Sequence, residues 1–117
     1  MRSFEDLTAW QLSMACCVGV YKASESFPSD ERFGLVSQVR RAAVSVPSNI
    51  AEGYGRGSRQ DYARFLRVAR GSMNEVETQL IIAVRLGYLS DEMYREVRNQ
   101  YAEAGRVLAG LIRSIES

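Results

Sequence analysis

The sequence predicts an all-α protein, an antiparallel up-down-up-down four-helix bundle, and three observations favour this class. Apolar residues recur at three- and four-residue spacing through four helix-length segments of the 117-residue chain. Caps and helix breakers separate the segments by only a few residues, and such short connections favour antiparallel neighbours. The alternation typical of half-buried strands gives no convincing signal. The length fits one domain over residues 1–117.

The first two helices are delimited by proline and serine. The first is expected to run from about residue 6 to residue 26, because the residue before Pro28 avoids the α region. Ser29 is expected to cap the second helix, which extends to Tyr54. Because the apolar pattern continues past Pro47, we expect a kink there rather than two helices.

The last two helices have clearer boundaries. Ser58 and Ser90 are expected to cap them, each followed by acidic residues that favour a helix N-terminus. Leu86-Gly87-Tyr88 is typical of a left-handed helix C-terminus. The glycines of residues 53–57 do not match a phosphate-binding loop, since they follow a helix and lack its lysine. They are expected to form a helix–helix turn.

Composition excludes many kinds of active site. The chain has no histidine, which removes histidine bases and the histidine ligands of most catalytic zinc sites. No metal or cofactor motif is present, so neither is expected. Adjacent Cys16 and Cys17 are expected to be small buried residues rather than a disulfide. No apolar run is long enough to span a membrane, and a cytoplasmic protein without a membrane partner is expected.

A polar seam interrupts the apolar pattern of the second and third helices. If the hairpin is centred on Arg56, Arg41 lies near Ser72 and about one turn from Glu75, the partner that a buried arginine would need. Gly71 would then let the helix backbones approach closely. The seam comprises seven residues that share helical faces: Gln38, Arg41, Ser45, Asn49, Glu52, Ser72 and Glu75.

Three interpretations of the polar seam stay open. It is a structural network that fixes helix register or lines a subunit interface, a contact for a ligand or nucleic acid, or a carboxylate-based catalytic site using Glu52 and Glu75. The third is disfavoured, because no nucleophile or cofactor motif accompanies the two carboxylates and the hairpin register separates them.

An arginine-rich stretch gives the near-neutral chain a basic middle. The net charge of +1 conceals a charge of −3 over residues 1–31, +6 over 32–71 and −2 over 72–117. This pattern is typical of proteins that bind phosphate backbones, with Tyr54 and Tyr62 placed to stack on bases or sugars. The alternative is a solvated face paired with acids of the first or fourth helix. The candidate contacts are Arg56, Arg59, Arg64, Arg67, Arg70 and Arg85.

Three motifs together resemble a known family: QVRRAAVSVPSNIAEG at residues 38–53, GSMNE at 71–75 and LGYL at 86–89. The chain is similar to the four-helix-bundle 23S rRNA-intervening sequence proteins, to which the accessory variability determinant proteins of diversity-generating retroelements are related. The resemblance implies a barrel-like homopentamer, RNA, DNA or ribonucleoprotein as partner, and no settled catalytic activity. The family signature falls on the polar seam and on Gly53 and Gly71. This chain is less basic than the retroelement relatives.

The sequence therefore predicts a non-enzymatic, oligomeric bundle that binds RNA or DNA weakly through its arginines. The alternative is a protein–protein scaffold or accessory subunit without nucleic-acid binding, which predicts an exposed apolar patch.

Overall fold

A computed structural model describes residues 2–117 as four α-helices. They are α1 (Thr8–Ser24), α2 (Leu35–Tyr54), α3 (Arg59–Arg85) and α4 (Asp91–Glu116), with short 3-10 turns at Phe4–Asp6 and Ser29–Glu31. Residues 2–117 contain no strand, which confirms the all-α prediction. No helix in this part of the chain has the length and apolar character needed to cross a bilayer.

The helices form a square in which α1 and α3 each pack against α2 and α4, while the diagonal pairs of the described chain do not meet. Sequential neighbours are antiparallel. Arg40 near the start of α2 donates to Ser24 Oγ at the end of α1, 2.8 Å away. Ser45 of α2 contacts Ser72 of α3, whereas Gly53, later in α2, lies against the earlier Phe65. Chain direction therefore alternates, as predicted.

The core is built from the apolar positions that face the centre of the square. Each helix contributes fully buried aliphatic side chains, which stabilise the fold by about 1.5–3 kcal/mol apiece. The largest are Val20, Val39, Val46, Ile50, Leu66, Val76, Leu80 and Leu108.

The boundaries of α3 and α4 confirm the predicted caps. Ser58 Oγ accepts a hydrogen bond from the Asp61 amide, and Ser90 Oγ accepts one from the Met93 amide, both at 3.1 Å. Gly87 has a φ of 80°, and the Tyr88 amide donates to the Ala83 carbonyl at 2.9 Å. This geometry is the left-handed C-terminus expected at Leu86-Gly87-Tyr88.

The start of α2 differs from the prediction. Ser29 begins a 3-10 turn, and α2 starts only at Leu35, whose amide donates to Glu31 Oε1 at 3.1 Å. The capping acceptor is therefore a glutamate rather than the expected serine. The delay leaves Phe33 on the intervening turn with 88% of its surface exposed. At its far end α2 continues without a break through Pro47, as expected, and the kink there stays a prediction.

Close packing of α2 on α3 depends on Gly53, not on Gly71. A Cβ atom on Gly53 would lie 2.8 Å from Phe65 Cβ and 3.2 Å from Tyr62 Cδ1. Gly71 is exposed, and an added Cβ there would meet nothing within 4 Å. The expectation that Gly71 brings the two backbones together was wrong, and the correct residue lies one helix earlier.

Candidate nucleic-acid interface

The centre of the polar seam is a hydrogen-bonded cluster between α2 and α3. Ser45 Oγ and the buried Ser72 Oγ lie 2.8 Å apart, and either hydroxyl can be the donor. Asn49 Nδ2 donates to Ser45 Oγ at 2.9 Å and to the Ser45 carbonyl at 2.8 Å. These three residues satisfy one another, so they bridge the two helices at a fixed register.

The outer members of the seam do not form the expected buried ion pair. Arg41 and Glu75 are both exposed, and no acidic group in residues 2–117 lies within 4 Å of the Arg41 guanidinium nitrogens. Facing pairs are centred near Ser58 and Arg59 rather than on Arg56, as Ser45 with Ser72 illustrates. Side chains tilt toward the N-terminus of their own helix, which moves contacting residues on both helices to higher numbers.

Arg41 and Glu75 instead line an open groove between α2 and α3 with a volume of about 460 Å³. Gln38 and Gln79 also line it, and Phe33 stands at its edge. Gln79 Oε1 is buried and accepts no hydrogen bond from the part of the chain that the structure describes. The groove therefore carries polar groups that the subunit itself does not pair.

The arginines predicted to contact nucleic acid are exposed, and two of them share an aromatic partner. The Arg56 and Arg64 guanidinium carbons lie 4.9 and 4.6 Å from the centroid of the Phe65 ring. The Asp61 carboxylate forms an ion pair with each of them, 3.9 Å from Arg56 Nε and 3.6 Å from Arg64 Nε. Arg56 also pairs with Glu52 at 3.4 Å. Stacking and ion pairing restrain both guanidinium groups at the α2–α3 turn.

Two further arginines reach toward α4. Arg67 Nη1 forms an ion pair with Glu116, and Arg59 Nη1 donates to the Ser117 main-chain oxygen at 3.2 Å. The predicted alternative of pairing with acids of the fourth helix is thus realised for Arg67. Arg70 and Arg85 have no acidic partner within 4 Å in residues 2–117. Arg85 is at the opposite end of α3 from Arg59.

Tyr54 and Tyr62 are not available for base stacking in the way expected from sequence. Their rings pack edge to face with centroids 6.2 Å apart, and both side chains pack partly buried against the core. Burial, with a contribution from Tyr54, raises the pKa of the Tyr62 hydroxyl above its ordinary value. The two rings pack against the core near the start of α3, the end of that helix that carries the arginines.

The groups suited to catalysis do not converge. Glu52 is paired with Arg56 and is not among the residues that line the groove with Glu75. Cys16 is buried and both cysteines are free, and burial, then Cys17 and Glu103, raises the pKa of the Cys16 thiol to about 12. In residues 2–117, no three acidic or cysteine side chains cluster as metal ligands. The carboxylate site considered from sequence is not assembled within the subunit.

Sequence comparison places the same features in a family. The family model for the 23S rRNA-intervening sequence protein matches residues 5–110, which include α1, α2, α3, most of α4 and every seam residue. The chain belongs to the 23S rRNA-intervening sequence protein family. No curated protein is similar enough to this chain to count as a match.

The family fold is also found in a solved structure. This chain is similar to a protein of unknown function from the S23 ribosomal protein family of Bacteroides thetaiotaomicron VPI-5482, whose crystal structure was determined at 1.70 Å. The match has a TM-score of 0.80 and 26% sequence identity, and it covers 90% of this chain and 98% of the other. Neither description assigns an enzymatic activity.

Proposed function

We propose that this family member is a non-enzymatic, cytoplasmic helical-bundle protein that assembles into a ring of five subunits and binds RNA or DNA weakly. The contact surface is the arginine cluster, defined as Arg56, Arg59, Arg64, Arg67 and Arg70, with Arg85 as a more distant contributor. The resemblance to the family motivates the ring, and the geometry of the cluster motivates the ligand.

The observation that carries the proposal is the pair of guanidinium groups stacked on Phe65. The ion pairs with Glu52 and Asp61 engage Nε of Arg56 and Arg64 and Nη1 of Arg56, and the other N–H donors of the two guanidinium groups have no acidic partner within 4 Å in residues 2–117. Planar donors at fixed positions suit the oxygens of a phosphate group. Arg64 is more than half exposed, so it reaches a ligand without a change in the fold.

The acids around the cluster reduce its charge without cancelling it. Three of the five arginines pair with Glu52, Asp61 and Glu116, and the set of five arginines and three acids has an excess of two positive charges in each subunit. These ion pairs are exposed, and such pairs contribute at most about 1 kcal/mol. A phosphate backbone can therefore replace the carboxylates at little cost. Repetition around a ring would multiply the local field, because several copies present the same surface.

The test is binding of a fluorescently labelled single-stranded RNA at 50 and 200 mM salt, on protein whose mass is fixed by light scattering. Five phosphate contacts predict affinity about 100-fold weaker at the higher salt. The triple variant R64E/R67E/R70E is expected to lose binding at 50 mM salt. The matched control R95E/R98E/R106E makes the same charge change at exposed positions on α4 and is expected to keep binding.

Three results would contradict the proposal. Equal losses in the two triple variants would show that only net charge matters, and unchanged binding in the first would remove the arginine cluster from the interface. A mass of one subunit would remove the ring.

A second candidate, a protein–protein scaffold, is favoured by an apolar surface along α1 and α2. Met14, Tyr21 and Val44 are 40%, 40% and 41% exposed, and Phe33 on the turn before α2 is 88% exposed. Exposed apolar side chains that lie together mark interaction surfaces. In this role, V44E would change the mass measured by light scattering, whereas the arginine variants would not.

A further inference from the structure

The groove between α2 and α3 carries groups of opposite charge on its two walls. On the α3 wall stand the Glu75 carboxylate and, one turn later, Gln79 Oε1. On the α2 wall stands the Arg41 guanidinium, which has only donors, beside Gln38, which can donate and accept. A ligand that offers donors toward Glu75 and acceptors toward Arg41 would therefore suit both charged groups.

The Arg41 and Glu75 side chains and Gln79 Oε1 have no ion-pair or hydrogen-bond partner within residues 2–117. Arg41 and Glu75 line the same groove without any ion pair inside 4 Å among residues 2–117, so the space between them is open. Gln79 Oε1 is buried without a donor in the same part of the chain. A buried acceptor without a partner destabilises the protein, and an incoming N–H group would recover that loss.

The edge of the groove carries an aromatic ring that the fold does not bury. Phe33 lines the groove and is 88% exposed, on the turn that precedes α2. Burying a phenylalanine normally stabilises a protein, so its exposure next to a polar groove favours a planar ligand. Nucleobases stack favourably on exposed aromatic side chains.

We infer that the groove binds a guanine base of a single-stranded nucleic acid, an inference that rests on the proposed nucleic-acid function. Guanine carries adjacent N1–H and N2–H donors for Glu75 and Gln79. Its O6 and N7 acceptors suit the Arg41 guanidinium, and its face stacks on Phe33. Adenine has one exocyclic amine and no N1–H. Uracil has a single ring N–H, and neither uracil nor cytosine has an edge with the O6 and N7 acceptors.

The groove lies on the same side of α3 as part of the arginine cluster. Arg64 precedes Glu75 by 11 residues, which is three helical turns, about 17 Å, and a return to nearly the same angle. A strand that runs along this side of α3 can place a phosphate at Arg64 and a base in the groove. The arginine cluster then supplies affinity, and the groove supplies base preference.

Uncharged nucleosides test the groove apart from the arginine cluster. Titration calorimetry on the full chain should show guanosine binding at least about tenfold more tightly than inosine, which lacks the N2 amine, or adenosine. E75Q replaces one acceptor oxygen by a donor and should remove this preference. F33A, at an exposed position, should weaken all three nucleosides together. Circular dichroism melts confirm that each variant is folded.

The outcomes separate this inference from the proposed function. A guanosine preference that persists in R64E/R67E/R70E supports the groove even if those arginines prove irrelevant to RNA. Equal binding of guanosine and adenosine by the wild-type protein, no nucleoside binding at millimolar concentration, or an unchanged preference in E75Q would overturn it, whatever the arginine variants do.

Discussion

Replacing Gly53 by alanine tests the close approach of α2 and α3. The new Cβ would lie 2.8 Å from Phe65 Cβ, about 1 Å inside the usual carbon–carbon contact of roughly 3.8 Å. Both atoms are close to their helix backbones, so the helices themselves must shift. Such overpacking costs about 1–3 kcal/mol. Alanine regains about 1 kcal/mol of helix propensity, which leaves a net loss of about 0–2 kcal/mol.

The same substitution at Gly71 provides the control. Gly71 lies inside α3, is exposed, and has open space where the Cβ would stand, so G71A should stabilise the protein by about 0.5–1 kcal/mol. Urea denaturation followed by circular dichroism gives both free energies of unfolding. The propensity gain is common to both, so the gap between the variants reports the steric cost. A gap below about 0.5 kcal/mol would refute the close approach at Gly53.

Two further predictions concern groups whose surroundings the structure fixes. Glu75 is exposed and does not pair with Arg41, so E75A should change the free energy of unfolding by less than about 1 kcal/mol in urea denaturation. A loss of about 3–5 kcal/mol would contradict this and would show that the two side chains form a buried ion pair. Because burial raises the pKa of Cys16 from 9.0 to about 12, the unfolded chain releases this proton first as the pH rises. Between pH 9 and 12 the thiol should therefore lower stability by about 1.4 kcal/mol per pH unit, and C16A should show a correspondingly shallower fall in urea melts across this range.

Features set by nearby residues were predictable from the sequence. The caps at Ser58 and Ser90 and the turn at Gly87 depend on side chains and dihedral angles within a few residues, and all three are confirmed. The start of α2 was predicted wrongly, because the Leu35 amide at its start is capped by Glu31 from a preceding 3-10 turn. Residue patterns do not reveal that turn.

Features that depend on how helices meet were harder to predict. The cluster of Ser45, Asn49 and Ser72 was identified as polar and shared, since helical spacing alone places its members on facing sides. The expected buried ion pair of Arg41 with Glu75 was wrong, because both residues are exposed and line an open groove, and helical spacing does not report the distance across such a groove. The pairing of Arg67 with Glu116 joins residues 49 positions apart, and no local pattern reports such a distance.

The even number of helices has a practical consequence for anyone handling this protein. Because the chain direction reverses three times, residue 2 and residue 117 both lie at the end of the bundle that carries the α2–α3 turn, where Arg59 contacts Ser117. Any affinity tag or fluorescent protein fused to either terminus sits beside the surface whose ligand is being sought. The connection around Gly87, at the far end, is the place to attach a reporter that leaves that surface uncovered.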